Sequence, residues 1–154
     1  MMERSHNVSK WSTRRRGIQW LKLRVEPDGR LIYAAHGRIY DDSQDDPYWF
    51  YYPSLNVNAN GDVVLGFSGS CQTEYIGAFF YAFQPTGWWM WRPCLIQTGR
   101  CSYDSKDTVR LGDYSATTID PNDDSIWTIQ EYANPAAITF YSWGTWITQI
   151  KPSF

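Results

Sequence analysis

Asn60-Gly61-Asp62 stands between two short runs that alternate apolar and polar residues, Ser54–Ala59 and Val63–Ser68, and no other feature constrains the chain as strongly. Asn-Gly accepts the positive φ of a tight reversal, so the two runs read as the arms of a β-hairpin. The same punctuation recurs. Glu26-Pro27-Asp28-Gly29 separates Gly17–Val25 from Arg30–Tyr40, with proline suited to the early turn position and glycine free to take positive φ. Pro85-Thr86-Gly87 separates Tyr75–Phe83 from Trp88–Gln97, and the polar cluster Asp120–Asp124 separates Tyr114–Ile119 from Ser125–Tyr132. Ile138–Ile150 supplies a last strand. No long segment carries clean helical periodicity, so the chain reads as all-β and antiparallel.

The strands fall into groups. Ser54–Gln97 makes one complete four-stranded sheet. Gly17–Tyr40 supplies the outer two strands of a preceding sheet, and Tyr114–Ile150 the inner three of a following one. A spacing of about 50 to 60 residues between groups is the rhythm of propeller blades, which predicts a partial β-propeller of about two to two and a half blades. The expected organisation is a single all-β domain over residues 17–154, preceded by a poorly ordered or extended segment over residues 1–16. Such a chain begins and ends within a blade. Unfinished sheets leave unpaired backbone and bare apolar faces. Either copies complete one another in a homo-oligomer, or the sheets rearrange into a compact sandwich or barrel, or the chain is part of a larger propeller. The first of these is preferred.

Charge removes some function classes. A formal net charge of -2 gives no basic footprint for nucleic acid or an anionic membrane. Arg14-Arg15-Arg16 is a short basic run best read as a solvated loop. No apolar run approaches the roughly 20 residues of a membrane span, and Met1–His6 lacks the apolar core of a secretory signal. Cys71, Cys94 and Cys101 cannot all pair within one chain. Without a Cys-x-x-Cys pair, and with His6 and His36 far off in sequence, zinc is not expected. Cys94 and Cys101 either bridge across a loop or stay as thiols.

Three sets of residues carry chemistry. Aromatics make up 18% of the chain, far more than a minimal core needs. Trp and Tyr suit half-buried strands and also stack on sugar rings. Trp88, Trp89, Trp91, Trp49, Trp143 and Trp146, with Tyr48, are therefore the candidate carbohydrate contacts. Trp89 and Trp91 are expected on one face of a strand, about 7 Å apart. The second set is a carboxylate pair, Asp113 and Glu131, brought together at one end of a hairpin with Arg110, Tyr114 and Tyr132. A glycosidase needs such a pair, or a tyrosine nucleophile. The competing reading is structural, with Asp113 capping a turn and Arg110 pairing with Glu131. The third set is the acidic loop Asp41, Asp42, Asp45 and Asp46, a weak candidate for a structural calcium because it lacks the ordered spacing and glycine of a calcium loop. No other cofactor is expected.

The motifs Tyr52-Pro53-Ser54-Leu55-Asn56-Val57-Asn58, Asn60-Gly61-Asp62-Val63-Val64-Leu65-Gly66-Phe67-Ser68, Arg110-Leu111-Gly112-Asp113-Tyr114-Ser115-Ala116-Thr117, Asp120-Pro121, Trp127–Ala133 and Trp143-Gly144-Thr145-Trp146 resemble the C-terminal part of bacterial secreted proteins with a sialidase-like, BNR-type β-propeller. Leu111 stands where that group usually has Trp. The resemblance implies a propeller and an extracellular or cell-surface setting, but a fold of this kind hosts unrelated functions. The sialidase catalytic set cannot be placed, because the blades that supply most of it are absent. The strict Asp-box is missing too; Thr118, Asp120 and Trp127 form a longer, looser version. The resulting expectation is a non-catalytic carbohydrate-binding or interaction module, with a sialidase-like glycoside hydrolase and a self-assembling structural protein as alternatives.

Overall fold

The computed structural model describes residues 16–103, 111–135 and 142–152, and these are all-β, without a helix. The strands are β1 (Ile18–Val25), β2 (Leu31–Ile39), β3 (Trp49–Val57), β4 (Val63–Ser70), β5 (Gly77–Phe83), β6 (Cys94–Gln97), β7 (Ala116–Ile119), β8 (Ile126–Ala133) and β9 (Trp143–Ile150). They form three antiparallel sheets of sequential strands: β1-β2, β3-β4-β5-β6 and β7-β8-β9. The expected hairpins are all present. The part of the last strand expected before Ser142 lies outside the described residues.

The sheets stack as layers. β3 lies over β7 and β4 over β8, while β1 approaches the other side of β3. β4 is consequently buried on both faces from Val63 to Gly69, which explains why its sequence is apolar or small throughout. The two seams differ in chemistry. Between the first and second sheets lies an aromatic core of Trp20, Phe50, Phe67, Phe79 and Phe83 with Ile18, Ile39, Val63 and Leu65. Its rings pack edge-on and stacked, as Phe50 on Phe67 at 4.9 Å and Phe67 on Phe79 at 6.0 Å between centroids. Between the second and third sheets, Val64, Ala82, Ile126 and Ile150 form a smaller apolar cluster.

The rest of that second seam is a polar network. Ser54 Oγ and Thr117 Oγ1 share a hydrogen bond of 2.7 Å, Gln130 Nε2 donates to Ser54 Oγ and to Thr128 Oγ1, and Ser68 Oγ donates to the Glu131 carbonyl. Gly66 makes the close approach possible. A Cβ there would run into Thr128 Oγ1 and Gln130 Nε2. A chain of satisfied hydrogen bonds in a buried seam fixes one registration of the two sheets where an apolar seam would tolerate sliding.

Two strand expectations need correcting. β3 begins at Trp49, not Ser54, and runs through Pro53. It does so as an edge strand with an irregularity: the register jumps from Tyr51 opposite Ser68 to Ser54 opposite Gly66, and Tyr52 takes a φ of 54°. Proline's missing N–H thereby falls off the ladder. Conversely, Trp88–Gln97 is not one strand. Only Cys94–Gln97 is β6. Trp89 makes an isolated bridge to Phe83, Met90 N donates to Ala82 O, and the chain then swings away before Pro93. A residue before proline is restricted and proline cannot donate to a ladder, so the strand restarts after it. Cys71, Cys94 and Cys101 are free and partly buried, so the bridge considered for Cys94 and Cys101 is not formed.

Candidate functional site

The strand correction relocates the tryptophans. Trp89 and Trp91 do not share a strand face. Trp89 stacks on Phe83 at 4.7 Å and tilts against Trp20 at 5.9 Å, so it closes the end of the aromatic core. Trp88 packs on the second apolar cluster. Trp91 is carried out into solvent and is 98% exposed. A fully exposed indole is unusual, because its large apolar surface gains nothing from water.

Trp91 stands at the mouth of a cleft of about 810 Å³. Arg38–Tyr40 at the end of β2 and Asp41–Ser43 of the following loop form one wall, Phe79 and Tyr81 of β5 with Tyr48 and Phe50 form the floor, and Trp91–Leu95 form the other wall. The volume lies in the range of small-molecule sites. Tyr81 donates its hydroxyl to Met90 O at 2.7 Å, which ties the Trp91 wall to the floor. Burial first, then the negative field of Cys71, Glu74, Asp41 and Asp46, pushes the Tyr48 phenol up to about 12. It therefore stays a neutral hydroxyl at any physiological pH. Arg38 and Arg92 line opposite walls and form no ion pair among the described residues. The cleft thus offers aromatic surface, two guanidinium groups and the Asp42 carboxylate within one concavity.

The acidic loop is partly spent on structure. Asp41 accepts from Ser43 N at 2.9 Å and Tyr48 N at 2.9 Å, which folds the loop back on itself. Asp46 accepts from Gln72 N at 2.8 Å, Thr73 N at 3.0 Å and Thr73 Oγ1 at 2.7 Å, pinning the loop to the β4–β5 connection. Asp42 and Asp45 are exposed. The four carboxylates do not converge: among the described residues no group of three or more His, Cys, Asp or Glu side chains is placed to hold a metal ion.

Of the carboxylate pair, Glu131 is taken up by backbone N–H groups. Glu131 is 1% exposed. Its Oε1 accepts from Tyr114 N at 3.0 Å and its Oε2 from Gly112 N. Two positions beyond Ala116 opposite Ile129, an extended ladder would set Tyr114 opposite Glu131, so the Glu131 side chain replaces a missing strand pairing with two charged hydrogen bonds. Gly112, at a φ of 104°, lies against the Tyr52 ring, where a side chain has no room. Asp113 and Tyr114 are exposed, and the Tyr114 ring leans on Trp143 at 5.1 Å. Tyr132 is buried. Arg110 lies outside the described residues. The loose Asp-box is a turn clasp: Asp120 accepts from Asn122 N at 2.9 Å and from Trp127 Nε1 at 3.3 Å.

Of the remaining tryptophans, Trp49 sits beneath the Arg16 guanidinium, 6.0 Å from its ring centroid, and Trp143 and Trp146 lie on β9, away from the cleft. Sequence reasoning reached Trp91, Tyr48, Asp41 and Asp42 but not Arg38, Tyr40, Tyr81 or Arg92. Nothing local marks those four. They meet only because β2, β5 and the segment before β6 converge. Among the described residues no helix is long and apolar enough to cross a membrane. No family model, no curated protein and no solved structure matches the chain.

Proposed function

We propose that this chain is a non-catalytic carbohydrate-binding module built from propeller-type blades, acting outside the cell or at its surface, with the cleft beside Trp91 as its sugar site. The observation that carries the reading is the pairing of a fully exposed indole with a concave, tyrosine-floored cleft rimmed by Arg38, Arg92 and Asp42. An exposed ring face stacks on the apolar face of a pyranose, and guanidinium and carboxylate groups bond its hydroxyls in pairs. The occupation of both Glu131 oxygens by backbone N–H groups supports binding without hydrolysis. The sequential antiparallel sheets, layered strand over strand, support the blade reading.

A glycan array followed by calorimetry on the best ligand tests this. Trp91→Ala and Arg92→Ala are each expected to weaken binding at least tenfold, about 1.4 kcal/mol, with no change in Tm because both side chains are exposed. Binding that survives both substitutions, or an array without a hit, rules the cleft out.

A further inference from the structure

The β1–β2 hairpin has its apolar residues on the wrong side for half its length. Near the body of the protein, the cross-strand pairs Ile18–Ile39 and Trp20–Gly37 face the second sheet and are buried or nearly so. Beyond Lys22 the polarity inverts. Leu23 pairs with Tyr33 and Val25 with Leu31 on the opposite face, in line with Leu21. The register irregularity at Lys22/Leu23 leaves Ala34 as an extra residue in β2, which turns Tyr33 and Leu31 outward. Leu21, Leu23, Val25, Leu31 and Tyr33 are between 45% and 67% exposed. Together they offer on the order of 500 Å² of apolar surface, at the upper end of what a monomer leaves open. That is a large share of the about 800 Å² each partner gives a standard interface.

An outward sheet face this apolar is the kind that a further layer covers, as layers cover both faces of β4. The other end of the stack also exposes apolar side chains, on β9, while Glu131 and Ala133 of β8 on that side are buried and Ile129 is half-buried. On the outward side of the third sheet, Ile129 pairs with Ile147 and Ala133 with Trp143; Ile147 is 60% exposed, and Trp143 carries the exposed Tyr114. The two ends have opposite charge. Over residues 16–40, Arg16, Lys22, Arg24, Arg30 and Arg38 outnumber Glu26 and Asp28 by three. Over residues 111–135 and 142–152, Asp113, Asp120, Asp123, Asp124 and Glu131 outnumber Lys151 by four.

We propose that the outward face of the β1–β2 hairpin binds the outward face of the β7–β9 sheet of a second copy of this chain, head to tail. Like net charge disfavours hairpin on hairpin and sheet on sheet, whereas the heterologous pairing joins a net-basic hairpin to a net-acidic sheet and continues the layering already present within the chain. The reading does not depend on the sugar site, which lies at the other end of the hairpin.

The test is sedimentation velocity on the full 154-residue chain from low micromolar to a few hundred micromolar. The wild type is expected to associate with concentration. Leu23→Asp and Ile147→Asp are each expected to be monomeric alone, with affinity lowered at least tenfold. Mixed, they keep one good face each and form a dimer that grows no further. Near-UV circular dichroism checks the folding of each variant, and Leu31→Glu with Trp143→Lys serves as a second pair. A monomeric wild type overturns the proposal. So does either variant of a pair dimerising alone, since that means like faces meet.

Discussion

Replacing Gly66 by alanine is the sharpest probe of how the second and third sheets meet. In an open strand interior the change is favourable, since glycine there costs about 0.5–1 kcal/mol relative to alanine. At Gly66 the structure demands the opposite sign. The new methyl runs into Thr128 Oγ1 and Gln130 Nε2, and lies 2.9 Å from Gln130 Cδ. Both side chains are buried and committed: Thr128 Oγ1 to Thr117 Oγ1 at 3.0 Å, and Gln130 Nε2 to Ser54 Oγ at 2.9 Å. Relief requires either that the sheets part or that these groups turn away. Overpacking costs about 1–3 kcal/mol and each buried polar group left without a partner about 1–3 kcal/mol more, so we expect Gly66→Ala to destabilise by about 3–5 kcal/mol. That is a large part of the about 5–15 kcal/mol that holds a domain together. Urea unfolding followed by tryptophan fluorescence measures it, with an unchanged m-value showing that the native surface is intact. Adding Thr128→Ala removes the first clashing atom, and the double variant should recover about 1 kcal/mol or more over the additive sum. A single variant within about 1 kcal/mol of the wild type, or a purely additive cycle, would refute the close contact.

Further expectations follow from the carboxylates. Glu131→Gln keeps the shape but loses the charged acceptor for Gly112 N and Tyr114 N; a cost of about 1.5–3 kcal/mol lowers Tm by about 3–12 °C, and an unchanged Tm with unchanged amide exchange at those two groups contradicts the role. Asp46 has its carboxyl drawn down to about 2 by the Thr73 hydroxyl first and the Gln72 N–H next. Its folded value lies below the ordinary 3.8, so its contribution is complete above about pH 4 and is lost as pH falls toward 2. Asp46→Asn should make the decline in unfolding free energy over that window shallower, and identical slopes for the two proteins would exclude the clamp. Under the proposed function, Trp91→Ala should weaken glycan binding at least tenfold without touching Tm, which separates the cleft from the core.

The sequence by itself determined the reversals and most of the strands between them. Asn60-Gly61, Glu26–Gly29 and Asp120–Asp124 mark reversals through local φ preferences and side-chain caps, effects that reach only a few residues along the chain. Asp120 with Trp127 was legible for the same reason, as a loose motif that proved to be a turn clasp. Tertiary structure decided the rest. β3 runs through Pro53 because an edge strand spares its missing N–H, and edge position is a property of the sheet, not of the dipeptide. Trp91 is solvent-bound, and Trp89 is a core lid, because Met90 and Ala82 pair and Pro93 then breaks the ladder. Glu131, which a pattern of carboxylates suggests as chemistry, is a structural acceptor because its buried oxygens take the backbone N–H groups of Gly112 and Tyr114. The cleft itself draws Arg38, Tyr81 and Arg92 from separate strands. Local pattern names a residue's strand and face. Only the stacking of layers names what that face will meet.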